Sequence, residues 1–365
     1  MSNDIIIPFT RQNSDNVNHS KVWQKITTFI ESKSENTQRT YASIVKEWCQ
    51  FLGYPVGSEN SSKAILNATD LTAIAYKRWL DGRPGQAPRT SRSSKNISKN
   101  KGLIKSYKIK KIKKDGTQST LTGATLAKKF AALRKIYKIL INANIGIYQN
   151  PFNSENIPTP SAKSGQKRPT EMIDYKFVKK MLSLPDTNIE KGVRDLALLS
   201  ALFGGGLRRS EVANLKISDF KKTTRGTFYL QLKATKSKKD FNQAIPRWAA
   251  QNIQSLVHHR LEKGACDGDF LFVSFRGKGG LIPTEQAIST NGIYNLFKDY
   301  CLRAGGNKFA SPHSARATAI TKLLDNGLSH REVQEFSRHS SVSMVEVYDK
   351  RRIEIDENPG KDLDF

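Results

Sequence analysis

Apolar residues in this chain recur at helical spacing over most of its 365 residues and alternate at strand spacing in only a few short stretches. That balance restricts the fold to a mainly α architecture with a small antiparallel β-sheet, because each element must bury the one face its periodicity defines. In residues 19–52 the apolar positions are Val22, Ile26, Phe29 and Ile30, then Tyr41, Ile44, Val45, Trp48, Phe51 and Leu52. This spacing predicts two helices divided near SKSENTQ, with Asn36 or Thr37 capping the second. Residues 70–80 predict a third helix and residues 125–142 a fourth, whose buried face would carry Leu126, Phe130, Leu133, Ile136, Tyr137 and Leu140. Beyond these, helices are expected over 170–184, 193–203 and 247–262 and from residue 290 onward. Strands are expected at 228–235, at its hairpin partner 241–245, and at 270–274.

The length suits two domains, each able to bury its own core. Residues 153–169, NSENIPTPSAKSGQKRP, are rich in Pro, Ser, Gly and Lys and read as an exposed linker. The expected division is a loose arm over 1–19, a helical domain over 20–152, the linker 153–169, a second domain over 170–350 and a tail over 351–365. Three scattered cysteines, Cys49, Cys266 and Cys301, form no CxxC pair, which argues against a disulfide framework or zinc ribbon and leaves them as core filler. No run of about 18 apolar residues is present, so the expectation is a soluble, cytosolic protein with no membrane partner.

Charge is the second constraint. Sixty Lys+Arg against 33 Asp+Glu give a net charge of +27 and a pI near 9.9, for which a polyanion such as DNA or RNA is the simplest partner. Residues 83–119 hold twelve Lys/Arg and one acid, Asp115, a net of +11 (12 − 1). A single lysine in such a run is ordinarily solvated, but the whole run favours phosphate contact. The candidate DNA contacts are Arg39, Lys128, Lys129, Arg134, Lys110, Lys111, Lys113 and Lys114.

Chemistry concentrates in GLRRSEV (206–212), SPHSAR (311–316) and FSRHSSVSMVEVYDK (336–350), which hold Arg208, His313, Arg316, His339 and Tyr348. Cleaving a phosphodiester takes an in-line nucleophile, cations on the non-bridging oxygens and an acid for the departing oxygen. Arg208 and Arg316 suit the second task, since the guanidinium fork matches two phosphate oxygens. Ser311 and Pro312 read as N-cap and first helical residue, placing His313 and Arg316 in the first turns, where an anion is favoured. Glu211, three residues after Arg208, can hold that guanidinium in place. Taken singly, Tyr348 would be an interior residue, beside a short helix packed through Val342, Met344, Val345 and Val347. No acidic or His cluster has metal-ligand spacing. The glycines at 204–206 and 277–280 lack a phosphate-loop pattern and are expected to serve tight turns.

In order and context these residues resemble the tyrosine recombinase (phage integrase) family: GLRRSEV resembles its first arginine box, HSAR its HxxR box, and HSSVSMVEVY its final histidine with tyrosine nine residues on. NTQRTYASIVKEWCQFL and TLAKKFAALRKIYKILINANIGIYQNPF are similar to the family's helical, SAM-like core-binding domain. The resemblance implies that Tyr348 attacks the scissile phosphate to form a 3′-phosphotyrosine and free a 5′ hydroxyl. Arg208, Arg316, His313 and His339 would stabilise the transition state, with Glu211 in support. It implies a general-acid lysine on the β-hairpin, here Lys236 in a T-K-S context or alternatively Lys238, and it implies no metal, ATP or other cofactor. It further implies a two-domain clamp on duplex DNA sites, a homotetramer on paired sites that is a monomer without DNA, a nucleoid location, and integration or excision of a mobile element. Ser337-Arg338 stand where the family more often has Leu-Gly, and segment 83–119 exceeds a compact helix connection. The acidic residues 353–365 would either dock on a neighbouring protomer or stay disordered. Two other readings remain open: a non-catalytic architectural DNA-binding protein, and a monomeric type IB topoisomerase-like enzyme.

Overall fold

The computed structural model describes residues 19–81, 121, 123–153, 155, 170–233, 240–277, 281–307 and 309–349. The arm before His19, the basic segment with Lys110, Lys111, Lys113 and Lys114, most of the linker, the hairpin lysines Lys236 and Lys238 and the acidic tail lie outside the described residues. The chain divides into two compact units, residues 1–167 and 168–365.

The first unit is helical among the described residues: α1 (His19–Glu31), α2 (Glu35–Leu52), α3 (Glu59–Leu66), α4 (Asp70–Asp81) and α5 (Gly123–Asn142). Its core forms around Trp48, whose ring meets Tyr76 edge-on at 4.8 Å and Phe152 at 5.2 Å. The Trp48 indole N–H donates to the Tyr137 hydroxyl at 3.2 Å, which donates in turn to the Ile65 carbonyl at 3.0 Å, so the buried polar atoms are satisfied. All six apolar positions predicted for one face of α5 are buried. The cap of α2 differs from expectation: Ser34 holds the extended N-cap backbone, and Asn36 and Thr37 lie inside the first turn. Helix α3 has no signature in the sequence, because ENSSKAIL places its apolar residues in one contiguous run, which carries no periodicity.

The second unit contains α6 (Tyr175–Ser183), α7 (Glu190–Gly204), α8 (Arg209–Asn214), a 3-10 turn (Ile217–Asp219), α9 (Arg247–Glu262), α10 (Thr290–Arg303), α11 (Pro312–Asp325), α12 (His330–Ser337) and α13 (Ser343–Glu346). Helix α6 starts later than its apolar pattern because the Asp174 carboxylate caps it by accepting from the Lys176 N–H. Helix α7 is buried around almost its whole circumference, from Ala197 to Phe203, and packs on α9. Gly204 faces Ala249 there, and a Cβ on Gly204 would stand 2.6 Å from the alanine methyl.

Two small antiparallel sheets complete the unit, so the architecture is mainly α with minor β. β1 (Phe220–Lys222), β2 (Phe228–Leu232) and β3 (Phe241–Ala244) lie in that order, with Phe220 opposite Leu230 and Leu230 opposite Gln243. β4 (Val273–Arg276) and β5 (Ile282–Ala287) form the second. β1 is three residues long, too short to register an alternation, and was not anticipated. Two further expectations are corrected. Cys49 and Cys301 are buried but Cys266 is exposed, and of Val342, Met344, Val345 and Val347 only Val345 is buried, with Met344 at 46% and Val347 at 45% exposure. No helix among the described residues is long and apolar enough to cross a membrane.

Candidate active site

Arg208 and Arg316 come together through the turn that ends α7. Gly206 there has a left-handed φ of +55°, and its carbonyl accepts a hydrogen bond from Arg316 Nη1 at 2.7 Å, tying α11 to the residue pair before Arg208. Arg208 is the N-cap of α8. Glu211, at the third helical position, accepts from the Arg208 backbone N–H at 2.7 Å and from its guanidinium at 2.8 Å. A six-residue helix thus fixes both main chain and side chain of the first arginine with one carboxylate.

Ser311 is the N-cap of α11 and Pro312 its first residue, as the sequence indicated, with His313 and Arg316 following. Arg316 is 1% exposed, yet its Nε and Nη2 have no hydrogen-bond partner among the described residues. A buried guanidinium satisfied at one nitrogen is costly unless an anion completes it. Burial and the neighbouring Arg208 and Arg338 charges push Arg316 down to about 9, against the partial relief of Glu211 and Tyr348.

His339 follows the C-cap of α12. Its Nδ1 lies 3.0 Å from the Ser337 hydroxyl, which orients the ring, its backbone carbonyl accepts from Gln334 at 3.1 Å, which fixes the main chain, and Nε2 remains for another partner. Desolvation and the charges of Arg316, Arg208, His313 and Arg338 lower His339 to about 4. His313 is lowered for the same reasons, by desolvation, Arg316 and Arg208. Both imidazoles are therefore neutral at pH 7 in the DNA-free protein.

Tyr348 is 9% exposed and packs with Ala317, Ile320, Leu324, Val333 and Val345, an apolar setting of the kind expected for a core tyrosine. It also lies alongside the basic cluster. The His339 ring is nearly parallel to it, at 6.0 Å between centroids, and Arg316 partly offsets the rise in phenol pKa that burial causes. Residues over a hundred positions apart in sequence thus share one electrostatic neighbourhood.

Arg338 was not singled out from sequence beyond its departure from Leu-Gly. Its guanidinium bonds the second oxygen of Glu211 at 2.8 Å and lies 5.4 Å from the centre of the Phe241 ring. Burial alone would raise the Glu211 carboxyl, but Arg338 and Arg208 outweigh it and hold it below its usual range. The signal in the sequence was Ser337-Arg338 standing where the family more often has Leu-Gly, and the structure gives it meaning, since the turn after α12 has a left-handed backbone that carries an arginine. Among the other predicted contacts, Lys128 and Arg39 are exposed, Arg39 next to Glu35. Lys129 is paired with Glu47, and Arg134 donates to the Phe152 carbonyl at 2.7 Å, so these two brace the first unit. Among the described residues no three His, Cys, Asp or Glu side chains cluster as metal ligands would.

Comparison with known proteins bears on this cluster directly, since residues 171–354, half of the chain, match the Phage integrase family. The chain belongs to the phage integrase family. It is a tyrosine-type site-specific recombinase. The integrase is 28% identical over 234 residues to tyrosine recombinase XerC of Bacillus subtilis (strain 168), covering 62% of this chain and 70% of that one. It is 27% identical over 239 residues to tyrosine recombinase XerD of Lacticaseibacillus casei, covering 63% and 73%. Among solved structures, XerH site-specific recombinase bound to difH substrate shares the fold with a TM-score of 0.57 at 16% identity, over 94% of each chain. The Tn1549 transposon integrase in complex with transposon right end DNA does so at 0.56 and 17%, over 93% and 98%.

Proposed function

We propose that this integrase cuts and rejoins duplex DNA at specific sites through a covalent bond between Tyr348 and a 3′ phosphate. The observation that carries the reading is the buried Arg316, with two unpartnered nitrogens, beside Arg208, His339 and the Tyr348 phenol. A DNA phosphate entering between the arginines would supply the anion that Arg316 lacks, and it would strip the positive field that holds both histidines neutral. The Tyr348 oxygen forms the new bond to phosphorus and the bond to the 5′ oxygen breaks. The phenolic proton goes to a neutral imidazole, His313 being the exposed one, and the leaving oxygen takes a proton from a hairpin lysine, Lys236 or Lys238. His339, held at Nδ1, donates from Nε2 to a non-bridging oxygen, and Glu211 keeps Arg208 aimed. The bond energy is retained in the phosphotyrosine, so rejoining consumes no nucleotide and uses no metal.

The first unit would serve as the core-binding domain, with Lys128, Arg39 and the basic segment 83–119 on DNA phosphates. The net charge of +27 supports that partner. Recombination of two sites calls for a tetramer on paired DNA, and integration or excision of a mobile element is the biological role this chemistry fits. A nicked duplex whose cleaved end diffuses away tests the reading. The wild-type protein, in EDTA and without ATP, should accumulate a covalent protein–DNA adduct that Tyr348→Phe does not form. DNA binding with no adduct at any site offered would leave only an architectural protein.

A further inference from the structure

Arg338 occupies a position whose backbone suits glycine. Its φ of 55° and ψ of 40° are left-handed, and among the described residues only Asn144 shares that feature without being glycine. An arginine there carries a backbone cost, and its side chain, 8% exposed, reaches back to the first arginine box. It donates to Glu211 Oε2 at 2.8 Å while Arg208 takes Oε1 at 2.8 Å, and the Arg338 carbonyl receives Arg208 Nη2 at 3.4 Å. The same guanidinium lies over Phe241 of β3, and the residue adjoins His339. One residue therefore touches the carboxylate that aims Arg208, the sheet beside it and the chain leading into His339.

We propose that Arg338 is a positioning residue for strand cleavage, holding Glu211 as a bridge between two guanidiniums so that Arg208 keeps a single orientation toward the phosphate. The proposal rests on the cleavage reading above. Without Arg338 the carboxylate keeps only its two bonds to Arg208, from the backbone N–H and the guanidinium, and it loses the anchor to the end of α12 together with half its counter-charge. The charged groups facing Glu211 are Arg208 on its own element and Arg338 from the end of α12, with Arg316 of α11 in the same field.

The test compares Arg338→Gly, which keeps the backbone and removes the side chain, with Arg338→Lys, which restores a charge without the planar fork. Single-turnover adduct formation on the nicked duplex should slow by about 10- to 100-fold in Arg338→Gly, with DNA affinity unchanged and partial recovery in Arg338→Lys. The acid limb of the rate profile should move to higher pH, because Glu211 protonates more readily with one guanidinium than with two. If Arg338→Gly does not fold, Glu211→Gln carries the test, since adding Arg338→Lys to it should cause no further slowing. Wild-type rate and pH profile in Arg338→Gly, or additive losses in the double variant, would overturn the positioning role alone. A wild-type protein that forms no Tyr348-dependent adduct would overturn the cleavage reading and this role together.

Discussion

Replacing Arg316 with methionine should separate a phosphate ligand from a structural strut. In the DNA-free protein the guanidinium is 1% exposed and two of its nitrogens have no partner. Its fall from the ordinary arginine range to about 9 corresponds, at about 1.36 kcal/mol per pH unit, to a cost of about 5 kcal/mol for carrying the charge there. Methionine removes that cost and fills similar volume, but gives up the charged hydrogen bond to the Gly206 carbonyl, worth about 2 kcal/mol. The net is a gain of up to about 3 kcal/mol, within the range found when buried ions are replaced by apolar residues. For a unit of this size that raises Tm by about 2 to 4 °C per kcal/mol. Calorimetry should therefore show the DNA-free Arg316→Met protein at least as stable as wild type, while adduct formation falls by a factor of about 10² to 10³ or more. Duplex DNA should stabilise the wild type more than the variant. A clear drop in Tm of the DNA-free variant would refute the reasoning, because it would make Arg316 part of the scaffold rather than a charge awaiting a phosphate.

Three further outcomes follow from the same geometry. His339, at about 4, and His313 both titrate below the ordinary value of 6.5, so the stability they confer is full above that pH and lost as pH falls toward 4. The wild-type Tm should decline across that window, and the decline should be shallower in His339→Gln. Gly206→Ala would force a methyl into a left-handed backbone 2.9 Å from the Phe336 ring, costing about 1 to 2 kcal/mol from the backbone alone, measurable by urea unfolding. Because the Gly206 carbonyl anchors Arg316, its adduct formation should slow as well. Phe130→Ala should cost the first unit about 3 to 5 kcal/mol by the same method, since Phe130 is fully buried in its aromatic core.

The long amphipathic helices were legible because their periodicity is intrinsic to the chain: α5 and α9 occupy the residues whose apolar spacing marks them, and Ser311-Pro312 mark the start of α11. Other elements escaped, since β1 is too brief to establish a period and the apolar residues of α3 fall in one contiguous run. The residues of the candidate site were named from their types and from GLRRSEV, HSAR and the final His–Tyr spacing. Two of the proposed DNA contacts, Lys129 and Arg134, could not be told from structural residues by sequence, as only packing gave them partners within the first unit.

By itself the sequence determined which residues are chemically able to handle a phosphodiester, where most helices run, and that the chain carries an excess of positive charge. The tertiary structure decided that Gly206 would offer its carbonyl to Arg316, that Glu211 would be shared by Arg208 and Arg338, and that Tyr348, buried among apolar side chains, would also lie beside His339. The reason is physical. Periodicity and capping act over a few residues and are written locally, whereas desolvation and charge pairing depend on which distant segments the folded cores bring within a few ångströms.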